Sequence, residues 1–187
     1  TDIGGAIADA DLVLVDDGAG GTLRKSAMSR IKTYVGGGIT VADQYRVTAN
    51  ITASADPISS NIERVDSSGQ GFIGSAMSES SGVFTFPSTG VYLVSQNSGN
   101  INISGSDSVN ISINVTTDNS SYAGVASAND GCVGISANIA VQTLVDVTDT
   151  ANVKVSFAVG SIGGSTVVEC STTSNGMTFT FIRLGDT

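Results

Sequence analysis

From Tyr45 onward, apolar and polar positions alternate with a period of two. Tyr45, Val47, Ala49, Ile51 and Ala53 are separated by Arg46, Thr48, Asn50 and Thr52, which gives an extended chain one apolar and one polar face. Val109, Ile111, Ile113 and Val115 alternate in the same way around Asn110, Ser112 and Asn114. Ile139, Val141, Thr143, Val145 and Val147 follow, then a turn predicted at 149–152, then Val153, Val155, Phe157 and Val159. A closing strand is predicted at 177–181, with Met177, Phe179 and Phe181 on one face. Clusters of Ser, Gly, Asn and Asp at 95–100, 117–121, 129–131, 161–165 and 174–176 predict the turns. Many short alternating strands, with no helical period after residue 43, predict an all-β fold: an antiparallel jelly-roll sandwich.

The first 43 residues follow another pattern. An apolar run at 12–15, a turn signal at Asp16-Asp17-Gly18 and a second extended run at 22–25 predict a β-hairpin. Ser26 is placed to cap a short helix in which Met28, Ile31 and Val35 share a face. Gly36-Gly37-Gly38 ends that helix and predicts a linker. The expected organisation is therefore a hairpin–helix module over 1–43 and a jelly-roll head over 44–187. A helix this short is marginal alone, so the module is expected to dock on the head or on copies of itself.

Composition agrees with an ordered β protein: 40% of residues are hydrophobic, 13% are charged, and there are 23 Gly and 2 Pro among 187 residues. The net charge of −9 argues against nucleic-acid binding, which needs clustered Lys and Arg. Four of the eight basic residues, Arg24, Lys25, Arg30 and Lys32, fall in one early segment and form a candidate attachment patch. No apolar run is long enough to span a bilayer, and the start of the chain lacks the layout of a signal peptide, so membrane insertion is not expected. Cys132 and Cys170 are read either as buried thiols or as a disulfide. Five N-x-S/T sequons, at Asn50, Asn102, Asn110, Asn114 and Asn119, read most simply as polar strand faces. The scarcity of Lys and Glu on those faces would make them easy to desolvate in a subunit interface.

Candidate chemistry is sparse. Residues 16–26, DDGAGGTLRKS, have the glycines of a phosphate loop, but Arg24 rather than Gly precedes Lys25-Ser26, and no dinucleotide fingerprint fits. Asp9, Asp11, Asp16 and Asp17 lack the spacing of a calcium loop and read as a hairpin turn. With no His in the chain, a Ser-His-Asp triad and a Cys-His dyad are both excluded. Paired carboxylates for glycoside cleavage could be drawn from Glu63, Asp66, Glu79, Asp146 and Glu169, but no spacing selects a pair. No cofactor or metal site is expected, and the chain reads as a non-enzyme.

Residues 82–94 run Gly82-Val83-Phe84-Thr85-Phe86-Pro87-Ser88-Thr89-Gly90-Val91-Tyr92-Leu93-Val94. This resembles the G-x-F-x-x-P-x-x-G-x-Y hallmark of complement-q/TNF-like globular heads, with Val94 where the hallmark closes on Phe. Two strands meet at a corner there, Pro87 stopping the first and Gly90 freeing the restart. The resemblance implies a threefold head whose scaffold residues are Phe84, Pro87, Gly90, Tyr92, Phe157, Phe179 and Phe181. Residues 9–35, DADLVLVDDGAGGTLRKSAMSRIKTYV, are similar in layout to a segment of tailed-phage structural proteins, notably marine ones, where it precedes a fibre or tip domain. Together the two resemblances imply a homotrimeric virion surface protein, a tail-fibre or spike tip that attaches to the host. Its implied partners are itself, other virion proteins, and a host glycan or protein receptor. Alternatives are a capsid decoration protein that cements the shell and a glycan-cleaving spike enzyme.

Overall fold

The computed structural model describes residues 6–16, 23–35, 38–103, 105–133 and 136–187. The chain divides into two units, Thr1–Gly38 and Ile39–Thr187. In the first, β1 (Leu12–Asp16) pairs antiparallel with β2 (Leu23–Ala27), and α1 (Met28–Val35) follows directly. Ser26 is not the helix cap. It lies in β2 opposite Val13, and the first helical N–H groups are satisfied by main-chain carbonyls, Met28 N donating to Asp11 O at 2.8 Å and Ser29 N to Asp9 O at 3.2 Å. Asp17 and Gly18 of the expected turn, Thr22, and Gly36 and Gly37 of the expected linker lie outside the described residues, as do the side chains of Lys32, Val35 and Cys132.

The second unit is a sandwich of two antiparallel sheets. Its strands are β3 (Ala42–Val47), β4 (Ile62–Arg64), β5 (Ser78–Ser80), β6 (Val83–Thr85), β7 (Gly90–Asn102) and β8 (Ser106–Thr116). They continue with β9 (Ala123–Val133), β10 (Ser136–Val147), β11 (Lys154–Gly160), β12 (Val167–Val168) and β13 (Met177–Gly185). One sheet has the order β10-β7-β13-β3-β4, with β12 also paired to β7; the other has the order β5-β6-β11-β8-β9. The alternating residues of β8, β10, β11 and β13 point into the space between the sheets, so Ile111, Ile113, Val145, Val147, Val155, Phe157, Phe179 and Phe181 are all buried. Phe84 sits at the centre, with Tyr45, Phe157 and Phe179 packed edge-on at centroid distances of 5.1, 5.5 and 5.7 Å.

The hallmark segment is where the chain changes sheets. β6 carries Phe84 in the five-stranded sheet; after Pro87 the chain turns, and β7 carries Tyr92 in the other. Gly90 opens β7 at φ +138°, and a Cβ there would meet Arg183 Nε and Gly185 O, both at 2.5 Å. The position therefore requires glycine.

Three expectations about element bounds are corrected. The strand begun at Ala42 ends at Val47 instead of running to Ala53: the main chain leaves the sheet, Ile51 pairing with Val168 and Ala55 with Val159. The cluster at 95–100 is not a turn but the middle of the 13-residue strand β7, and 129–131 likewise lies within β9. In β7 the polar residues Gln96 and Ser98 face inward and are fully buried, Gln96 Nε2 donating to Ala158 O at 3.0 Å. Polarity there belongs to the core, so it carried no turn. The turn at 149–152 forms as predicted, with Asp149 accepting from Ala151 N and Asn152 Nδ2.

Candidate functional site

Phe84, Tyr92, Phe157, Phe179 and Phe181 are buried within the single chain, Gly90 with them, and Pro87 is half-buried at the corner. Phe86, absent from the expected scaffold, is also buried, its ring 4.7 Å from that of Tyr92. Arg24, Lys25 and Arg30 of the candidate patch are exposed. Arg24 and Lys25 are neighbours in β2 and therefore project to opposite faces of the hairpin. One of those faces carries Leu12, Leu14 and Leu23, all strongly exposed.

Of the candidate carboxylates, Glu63, Asp66 and Glu79 are committed to separate structural tasks, Asp146 is exposed on β10, and Glu169 lines the cavity described below. Arg46, placed by its alternation on a polar face, is 1% exposed because residues 62–67 fold over it. Its Nε donates to Glu63 Oε1 at 2.7 Å, Nη2 to Asp66 Oδ1 at 2.7 Å and Nη1 to Ser67 Oγ at 2.8 Å. Glu79 Oε1 accepts from Gly82 N at 2.7 Å, while Asp43 takes Arg64 Nε and Met77 N. Among the described residues no cluster of three His, Cys, Asp or Glu side chains could hold a metal ion.

Two surface features remain. The first is an apolar row across the outward face of the larger sheet. Leu144 is in register with Leu93, Leu93 with Ile182, Ile182 with Ala42, and Ala42 with Ile73. Residues opposite one another in register share a face, so the five side chains form a continuous band. Leu144 and Ile73 are 61% and 49% exposed.

The second is an amide-lined cavity of about 420 Å³. Asn50 comes from the segment after β3, Gly99 and Asn100 from the end of β7, Glu169 to Ser171 from the turn after β12, and Ser174 to Gly176 from the approach to β13. Asn50 Oδ1 accepts from Cys170 N at 2.8 Å, Asn100 Nδ2 donates to Glu169 Oε2, and Asn175 Nδ2 donates to Gln44 Oε1 at 3.1 Å. Gly99 N to Gly176 O, 2.7 Å, ties two of these segments together. Cys170 is a free thiol, and burial pushes it up to about 11 against a Met177 N–H that favours the thiolate. Sequence reading missed this cavity because its residues come from four separated stretches, Asn50 reading as a strand position and 95–100 and 174–176 as turns.

No protein-family profile matches the sequence, and no curated protein matches it either. Among solved structures the chain is similar to murine APRIL crystallised at pH 5.0, with a TM-score of 0.57 at 6% identity over 77% of this chain and 98% of that one. Murine APRIL at pH 8.0 gives a TM-score of 0.51 at 11% identity over the same shares. At such identities the likeness concerns fold alone, and it agrees with the sandwich of two antiparallel sheets described above: this chain carries a TNF-like antiparallel jelly roll.

Proposed function

We propose that the chain is a non-enzymatic, homotrimeric virion surface protein, a tail-fibre or spike tip that attaches to a host surface. The observation that carries the reading is the apolar row from Leu144 to Ile73. A contiguous apolar band on an otherwise polar sheet face marks an association surface. β9 and β10 are sheet edges of 11 and 12 residues without a Lys, Arg or Pro, and each carries a single acid, Asp130 and Asp146, so they are lightly guarded against contact with another copy. An edge of one copy laid on the apolar face of the next is a head-to-tail contact, and three such contacts close a ring. The TNF-like fold is compatible with that arrangement.

Leu12, Leu14 and Leu23 add a second apolar surface that three copies of the hairpin would bury on one another. The virion assignment rests on the layout of residues 9–35. A second reading, a capsid decoration protein, is favoured by the exposed Arg24, Lys25 and Arg30, which suit an acidic shell.

Light-scattering mass measurement at micromolar concentration should give three chains, and Leu144→Asp should give one. A wild-type monomer overturns the trimer. Gold-labelled antibody on intact particles should decorate the tail tip; labelling of the shell selects the decoration reading, and no labelling overturns both. Release of reducing ends from host envelope polysaccharide would overturn the non-enzymatic assignment.

A further inference from the structure

We infer that the cavity between Asn50, Asn100, Glu169 and Asn175 binds a neutral saccharide, an inference that deepens the attachment reading by giving the receptor a chemical class. Three amide side chains line it, and each is anchored at one end by a bond to the protein. That leaves the other ends of Asn50 and Asn100 available, while Asn175 Oδ1 is buried. Among the described residues, Asn50 Nδ2, Asn100 Oδ1, Glu169 Oε1 and Ser174 Oγ spend no hydrogen bond on the protein, and all four residues line the same hollow. The set holds a donor, two acceptors and a hydroxyl that serves as either. Sugar hydroxyls are themselves both donors and acceptors, so adjacent ring hydroxyls can satisfy such a mixture where a purely accepting ligand could not.

Charge narrows the class. Glu169 is the one ionisable oxygen acid in the lining, and no Lys or Arg accompanies it. A phosphate, sulfate or uronate would meet a carboxylate with no compensating cation, whereas a neutral hydroxyl donating to that carboxylate makes a charge-assisted bond. The volume of about 420 Å³ lies within the range of small-ligand sites. Anchoring also lowers the ordering cost of binding. Asn100 holds Glu169, Cys170 N holds Asn50 and Gln44 holds Asn175, so the polar atoms are positioned before a ligand arrives.

The groove lined by Glu79, Tyr122 and Lys154, about 390 Å³, offers an internal comparison, since it pairs a carboxylate with a cation. Proton–nitrogen correlation spectra of the full chain are to be recorded during titration with the methyl glycosides of mannose, glucose, galactose and N-acetylglucosamine, and with glucuronate. At least one neutral glycoside should shift the side-chain amide signals of Asn50, Asn100 and Asn175 saturably, with half-saturation near ~1 mM. Glu169→Gln should weaken it roughly tenfold, because a bond to a charged acceptor is lost. Glucuronate should not compete.

Failure of all four neutral glycosides to saturate below about 50 mM overturns the inference. So do shifts centred on Tyr122, or glucuronate binding as tightly as glucose. Should Glu169→Gln not fold, the wild-type titration still decides. Attachment and saccharide binding fail separately: protein that adheres to host cells equally well as Glu169→Gln refutes this site and leaves attachment standing, whereas a saturable titration without adhesion does the reverse.

Discussion

Phe157 and Phe179 lie face to face, their centroids 4.1 Å apart and their planes 8° from parallel. One ring belongs to β11 and the other to β13, so this stack joins the two sheets at the middle of the core. Phe179→Ala removes one side of it and leaves a cavity where Phe84 also packs. A loss of about 3–5 kcal/mol is expected in urea unfolding at fixed protein concentration. A loss below about 1 kcal/mol would show that the rings are not in the core.

Tyr92 separates packing from hydrogen bonding at the corner. Its ring is buried against Phe86, while its hydroxyl donates to Ser88 O at 3.0 Å. Tyr92→Phe should cost about 1 kcal/mol for the hydroxyl, and Tyr92→Ser about 3–5 kcal/mol for the ring. Thermal melts of the two variants should differ clearly; equal melting temperatures would contradict the buried ring.

Gly90→Ala and Gly71→Ala form a matched pair. A Cβ at residue 90 meets Gly185 O at 2.5 Å in a left-handed backbone, whereas one at residue 71 meets nothing within 4 Å. The first should destabilise by at least about 1–3 kcal/mol from backbone strain, and the second by less than about 0.5 kcal/mol. Chemical denaturation curves of both variants test this directly.

Asp118 should make stability depend on acid. The main-chain N–H groups of Ser121 and Ser120 and the Thr116 hydroxyl hold its carboxyl well below the usual carboxylate range. Because the folded-state value is the lower one, this stabilisation is complete above the unfolded value of 3.8 and is lost as the pH falls towards the folded one. Asp118→Asn should therefore melt below wild type at neutral pH, the gap narrowing progressively as the pH falls below about 4. A gap that is constant with pH would rule out the carboxylate as its source.

Cys170 should resist alkylation. With its thiol pushed up to about 11 from 9.0, roughly a hundredfold less thiolate is present at pH 8 than for an unperturbed thiol. Peptide mapping after iodoacetamide treatment should show slow modification of Cys170, with a rate still climbing past pH 9. Rapid labelling at pH 8 would mean that the thiol is exposed.

Strands whose inward residues are apolar were legible as a period of two, and β8, β10, β11 and β13 appear where Val, Ile and Phe alternate. β7 was harder to read because two of its inward residues, Gln96 and Ser98, are polar, so its middle imitates a turn. Arg46 shows the opposite failure: alternation placed it correctly on the outward face, but nothing local announced that Glu63, Asp66 and Ser67 would cover that face. The corner at Pro87 was visible because a proline and a glycine at set spacing act on the backbone itself. The amide cavity was invisible, since it depends on Asn50, Asn100 and Glu169 meeting across separations that only the finished fold creates.

The position of β13 has a consequence for how the body comes to be made. It lies between β7 and β3, bonded to both, although β3 precedes it by well over a hundred residues. During synthesis β3 must therefore wait, one edge unsatisfied, until β13 has emerged from the ribosome. Completion of the sandwich is a late, long-range event of the kind that folds slowly and exposes apolar surface meanwhile. A nascent chain stalled before β13 should be captured by chaperones, and release of the final strand should free it.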